Sequence, residues 1–562
     1  MKKIILLLLI LPIQLLGQVR LKYAQNLSLT YEEIVSAYQQ LAATYPNQCK
    51  LEVAGKGDNG REIYTLEIFP VNKAAENVTL LINNGIHAGE PDGIDASIEF
   101  AEQVLKGTLR YPNTRIVIIP VYNVDGNSVQ SCCTRANQNG PLNQGFRANS
   151  RNLDLNRDFM KADAENTRAF FRIFHRYKPH LLIDNHVSNG ADYQYTMTLI
   201  STQADKLGTV LGPFLKNEFE PQVYDEMKKK GTPLVPYVNT IAEIPDSGLA
   251  GFLETPRFAT GYAALFNCIG FVPETHMLKP YASRVVATRK LMETMSSYID
   301  QNATRLIALK KRADLNDRNR KIFPVNWKFD KSRSTTIPFM GYEAGYKPSG
   351  VSGQPRLYYD RNRPFTRRIP YYNRFTPADS ITKPAAYLIP QAWKQVISRL
   401  ELNGVKYSRL EKDTVITVQA SYISQFQTSG RPYEGHYLHS ATSRTTKRME
   451  QQFFKGDYLI STDQPAVRFL VEALSPEAAD SYFNWNFFDS MLQQKEYFSD
   501  YVFEDTAAEL LENDPALREK LEQKRKSDAA FSTNGQAQLD FIYRNSPYFE
   551  KTFQLYPVFQ LP

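Results

Sequence analysis

Residues 80–93 read LLINNGIHAGEPDG. A short apolar run, Val78–Ile82, breaks at Gly85, and His87 and Glu90 follow three apart on the next turn. A brief, mostly apolar stretch of this kind predicts a strand buried on both faces. The same texture returns at Arg115–Val121 (RIVIIPV) and at His180–Asp184 (HLLID), and Glu62–Phe69 reads as a further strand. Helical patterns lie between them, at Tyr31–Tyr45, Ile94–Leu105 and Thr167–Tyr177. Strands alternating with helices predict the α/β class: a mixed, mainly parallel sheet flanked by helices. Pro280 to about Arg320 continues as helix and ends in the charged run KKRADLNDRNRK, the expected exit of the first domain. From 325 to 460 the chain is rich in Tyr, Thr, Arg and Pro, with strand-like stretches such as Thr414–Ile423 and one helix, Gln391–Leu402. Residues 18–305 are therefore expected to form one domain. Residues 320–562 are expected to form a second, mainly β domain with a helical tail.

The 562 residues are 42% hydrophobic and 22% charged, as in an ordinary globular chain, and long enough for two cores. The net charge of +8 is a thin excess for this length, so nucleic acid is not an expected partner. Residues 1–17, MKKIILLLLILPIQLLG, put two lysines before an apolar run too short to span a bilayer and end at a small residue. They read as a cleavable signal peptide, which implies a secreted or periplasmic protein with no membrane span. Four Cys are too few for a disulfide scaffold. Neighbouring Cys132 and Cys133 are not expected to bond one another, because the small ring strains the peptide between them. Nothing in the sequence fixes an oligomeric state.

Four segments carry candidate chemistry. His87 and Glu90 can share one metal ion through an imidazole nitrogen and a carboxylate oxygen, although H-x-x-E alone equally describes a turn with an ion pair. In FRANSRNLDLNRDF (146–159), Leu153 and Leu155 can face the core while Asp154 and Asn156 face the other way. The Asn156–Arg157 pair there suits a carboxylate, since a guanidinium fork matches its two oxygens and the amide adds a donor. His186 follows a buried strand, where α/β sheets present functional groups. Glu274, in FNCIGFVPETHMLKPY (266–281), stands at the end of another apolar strand and can act as a general base on metal-activated water.

Taken together, His87-x-x-Glu90, Arg147 seven residues before Asp154 in LDLNR, His186 and Glu274 resemble the zinc metallocarboxypeptidase family (carboxypeptidase A-like), over about residues 28–300. The resemblance implies a catalytic domain at 18–305 and one zinc ion held by His87, Glu90 and His186. Asp154 would orient a zinc-bound imidazole, and Asn156 and Arg157 would grip the free C-terminal carboxylate of a peptide. Arg147 would stabilise the oxyanion, and Glu274 would serve as general base. Arg151 competes with Arg147, and Glu254 in GFLETPRF competes with Glu274. Tyr262 is the candidate for the mobile tyrosine the family carries ahead of its catalytic glutamate. Two other activities share these residues: a zinc amidohydrolase acting on cell-wall stem peptides or N-acyl amino acids, and a non-catalytic binding protein on the same fold. The H-x-x-H of His436 and His439 reads as surface rather than as a second metal site, and His276 as a packing residue.

Overall fold

The computed structural model describes residues 20–74 and 76–562, so the expected signal segment 1–17 lies outside them. The first half is built on an eight-stranded sheet. Its strands are β1 (Cys49–Lys56), β2 (Glu62–Ile68), β3 (Val78–Asn84), β4 (Thr114–Ile119), β5 (Leu181–Ser188), β6 (Met197–Ser201), β7 (Leu234–Pro236) and β8 (Ile269–His276). They lie in the order β1-β2-β4-β3-β5-β8-β6-β7. The central strands β4, β3, β5 and β8 run parallel, while β1, β2 and the β8–β6 pair are antiparallel. Every residue of β3 and β5 is buried, because helices cover both faces.

Those helices are α1 (Tyr31–Thr44), α2 (Asp92–Leu105), α3 (Glu165–Tyr177) and α4 (Tyr281–Gln301). Helix α1 begins at a capping box in which Thr30 and Glu33 each bond the other's backbone N–H, which satisfies two otherwise orphaned donors. A further helix, Ala303–Asn319, carries the charged run expected to leave the domain, and the next strand starts at Ile322.

The second half contains a hairpin, β9 (Thr335–Pro348) with β10 (Pro355–Tyr372), and a six-stranded antiparallel sheet. That sheet holds β11 (Ala386–Ile389), β12 (Thr414–Thr428), β13 (His439–Phe453), β14 (Tyr458–Ser461), β15 (Leu555–Leu561) and the short strand Ser408–Arg409. The helical tail is present as Asp500–Asn513, Pro515–Ser527 and Gly535–Arg544, with a small apolar core of its own. The chain then returns as β15, which inserts between β11 and β12 in the middle of the sheet.

The halves share apolar and polar contacts. Tyr193, Tyr195, Val235 and Leu249 pack with Phe339 and Ile369 of the hairpin, and β10 pairs in parallel with Leu249–Ala250. Met160 and Leu265 belong to the core under the C-terminal sheet. Asp163 accepts from Lys161 on its own side and from Arg399 and His436 of the other half. Arg257 binds the buried Asp480 through its side chain at 2.6 Å and its backbone N–H at 2.9 Å.

One sequence expectation is corrected here. Cys132 and Cys133 are joined, and Cys49 and Cys268 are buried and free. The bonded pair lies in an exposed loop pinned by reciprocal Ser131–Gln144 backbone bonds, where the chain is free of the packing that would oppose so tight a ring. Among the described residues, no helix is long and apolar enough to cross a membrane.

Candidate metal centre and substrate cleft

Strand β3 ends in a turn that depends on Gly85, whose φ of +63° favours glycine. The turn delivers His87 and Glu90 just before α2, and neighbouring β5 delivers His186. The ligand atoms of these three buried residues lie within 4.8 Å of one another. Both imidazoles turn Nδ1 towards the Glu90 carboxylate, His87 at 3.2 Å and His186 at 3.0 Å. Both turn Nε2 outwards to a second carboxylate, His87 to Asp154 and His186 to Asp184, each at 3.1 Å. An Nε2–H donated to a carboxylate leaves the Nδ1 lone pair aimed inwards, the arrangement in which metal-binding histidines are held.

The charge balance points the same way. Burial opposes ionisation of Glu90, yet the Arg135 guanidinium and His87 hold its carboxyl well below the usual range. Asp154 is also driven down by His87 and Arg147 against the effect of burial. A nest of buried carboxylates around two imidazoles favours a cation at its centre. Two nitrogens and one carboxylate suit zinc with a position left open.

Asp154 is the hub of the neighbouring segment. Its carboxylate accepts from His87, from Arg147 Nε and Nη2 at 3.1 and 2.9 Å, and from the Asn156 N–H at 2.9 Å. Arg147 also reaches within 3.8 Å of Glu90 and stays partly open to solvent. Its competitor Arg151 points elsewhere, donating to the Asp163 carbonyl. Asn156 accepts from the Ala259 N–H, and the Arg157 guanidinium lies over the Phe258 ring at 4.3 Å.

Glu274 is registered directly opposite His186 across the β5–β8 pair. Burial pushes its carboxyl up to about 8, with His186 opposing and Glu90 adding. The other candidate, Glu254, is likewise pushed up to about 7, by burial and by Asp184. It stands off the strand ends, with its carbonyl bonded to Lys206.

Tyr262 is not at the cleft, which corrects its expected place there. It is fully buried, stacked on Phe171, with its hydroxyl between His175 and Asn403. The short helix Ala259–Ala263 turns it into the core. The tyrosine that feels the charges of Glu274, Glu90 and Arg147 is Tyr237, just after β7. His276 packs against Tyr193 and bonds the Ala191 carbonyl. His436 and His439 take separate partners, Asp163 with Asn486 and Asp489 with Thr428.

Sequence reasoning passed over Asp184, Arg135, Tyr237 and Glu434. Asp184 had a signal, since residues two apart on a strand share a face. Arg135 donates to Glu90 at 2.7 Å, and Glu434 accepts from the Asp154 N–H at 2.7 Å; both are long-range contacts without a local pattern.

Residues 34–184 match the zinc carboxypeptidase family model, a stretch that contains His87, Glu90, Arg147, Asp154, Asn156 and Arg157. Over that stretch the chain is zinc-carboxypeptidase-like. Carboxypeptidase 2 of Trichophyton rubrum is 22% identical over 500 residues, which cover 81% of this chain and 83% of that protein. A probable carboxypeptidase 2 of Arthroderma benhamiae is 23% identical over 465 residues, 76% of this chain and 79% of its own. Among solved structures, carboxypeptidase A of Helicoverpa armigera is similar at 17% identity and a TM-score of 0.37, covering 51% of this chain and 73% of its own. The carboxypeptidase described here is thus a zinc-dependent peptide hydrolase, and the His87–Glu90–His186 cluster is its candidate metal site.

Proposed function

We propose that this carboxypeptidase removes C-terminal residues from peptides with a free C-terminal carboxylate, with zinc held by His87, Glu90 and His186. The convergence of those three side chains, together with Arg147 and the Asn156–Arg157 pair beside Asp154, carries the reading. When bound there, zinc supplies Lewis acidity and lowers the pKa of water. Arg157 and Asn156 receive the terminal carboxylate of the substrate, which sets the scissile bond one residue in. Arg147 donates to the carbonyl oxygen as negative charge grows on it. Glu274 takes the proton of the attacking water at its carboxylate and passes it to the nitrogen of the departing amino acid. Tyr237, rather than Tyr262, is the tyrosine suited to touch the substrate.

Residues 1–17 act as a cleavable signal in this reading. The bonded Cys132–Cys133 pair suits an oxidising compartment outside the cytoplasm. Residues 18–305 form the catalytic domain, and 320–562 the region packed against it.

The test is mass spectrometry of a diverse peptide pool incubated with the mature chain, with and without a zinc chelator. Chelator-sensitive loss of single C-terminal residues is the expected result. Intact peptides with zinc stoichiometrically bound would turn the assignment to cell-wall stem peptides or N-acyl amino acids, and intact peptides without zinc to a binding protein. Glu274→Gln should retain zinc and lose about 10²–10⁴-fold in kcat. If Glu274→Gln stayed active and Glu254→Gln did not, the base would be Glu254.

A further inference from the structure

The loop between β12 and β13 carries GRPYEGHY, residues 430–437. Its tip is a tight turn: Tyr433 and His436 exchange backbone bonds at 2.7 and 3.0 Å, with Glu434 and Gly435 between them. Both central residues have positive φ, +50° for Glu434 and +83° for Gly435. That is the condition of a type I′ hairpin turn, whose first central position favours Asn, Asp or Gly. Glutamate gains nothing from that backbone and is disfavoured by it.

The turn is anchored against the other half of the molecule. His436 is bonded through both ring nitrogens, to Asp163 at 2.7 Å and to Asn486 at 2.5 Å. From this fixed base the Glu434 side chain reaches the Asp154 N–H at 2.7 Å. Asp154 in turn holds His87, Arg147 and the Asn156 N–H through its carboxylate. A strained, outlying residue whose side chain bonds the hub of a candidate site is where a functional constraint is expected to override local preference. Asn, the residue the turn prefers, is one methylene shorter.

We propose that Glu434 is a positioning residue of the metal centre, through which the C-terminal region completes the site by fixing the Asp154 backbone. The inference rests on the zinc reading given above. Glu434 touches neither metal nor substrate. It sets where the Asp154 carboxylate sits, and so how firmly His87 and Arg147 are aimed. The working part of the C-terminal half is then a single turn, and the catalytic half is incomplete without it.

Glu434→Asn separates this role from a structural one, because it suits the turn and removes the reach. Zinc retention against a graded chelator, kcat/KM on a cleaved peptide and the thermal midpoint are measured together on the full chain. Partners bonded directly to a metal-binding imidazole are worth roughly 10- to 100-fold, so Glu434, one bond further out, should cost ~3- to 10-fold in zinc affinity and in kcat/KM. The thermal midpoint should hold or rise. Glu434→Gln keeps an acceptor at the same reach and should stay within about twofold of the unmodified chain, since its amide oxygen still takes the Asp154 N–H. Glu434→Asn matching the unmodified chain in both zinc affinity and kcat/KM would overturn the proposal, as would Glu434→Gln falling as far as Glu434→Asn. An unmodified chain that binds no zinc would instead remove the reading beneath it.

Discussion

In the eight-stranded sheet, the central strands β3 and β5 carry the candidate metal-binding residues at their ends, and each stands within a few residues of the strand that delivers it. The six-stranded sheet works otherwise. Its middle place is filled by β15, which follows β14 in sequence only after the helical tail, and a turn at the far end of β12 carries its hydrogen bond to the candidate site. In the first sheet each candidate side chain is placed by the strand it ends or follows. In the second, the side chain that reaches the site is carried by a turn whose sheet is closed by the last segment of the chain. A site built the first way is compact and self-orienting, whereas a contact built the second way depends on the whole sheet being closed.

Three experiments probe that contrast. Ending the chain at Gln554 should have the largest effect. It removes β15 from between β11 and β12, and with it the buried Tyr556, Val558 and Phe559, each worth about 1.5–3 kcal/mol of burial. Calorimetry should show the C-terminal transition lost while zinc affinity falls by no more than Glu434→Asn produces. If both sheets melted together and zinc binding vanished, the first sheet would not be self-orienting.

The seam between the halves comes next. Arg257→Ala strands the buried Asp480 without its guanidinium, at an expected cost of about 3–5 kcal/mol in denaturant unfolding. A loss below 1 kcal/mol would mean that the apolar contacts alone hold the seam.

Tyr262→Phe should do least. It takes the hydroxyl from between His175 and Asn403, costing about 1–3 kcal/mol of stability, and should leave kcat/KM unchanged. A large fall in kcat/KM would return Tyr262 to the cleft.

What could be read in advance follows the same division. His87, Glu90, His186 and Glu274 were legible because each ends or closely follows an apolar strand, and strand periodicity says which way such residues face. Arg147 could be preferred over Arg151 by its spacing to Asp154. Tyr262 misled because its separation from Glu274 says nothing of the helix that rotates it inwards. Tyr237 and Arg135 reach the site only through tertiary packing. Glu434 likewise meets the site only across the fold, 280 residues from Asp154 in sequence. The Cys132–Cys133 bond was missed because ring strain was weighed without the exposed loop that accommodates it.

The place of β15 also has a meaning in time. Ribosomes make β3, β5 and β8 long before residues 555–561, so the half with the candidate metal site can assemble while the second sheet still lacks its centre. The sheet that carries the Glu434 turn is closed only once those late residues have been translated and threaded between β11 and β12. The order of synthesis thereby becomes an order of competence, and a peptide-cutting enzyme reaches full strength only after most of its own chain has left the ribosome.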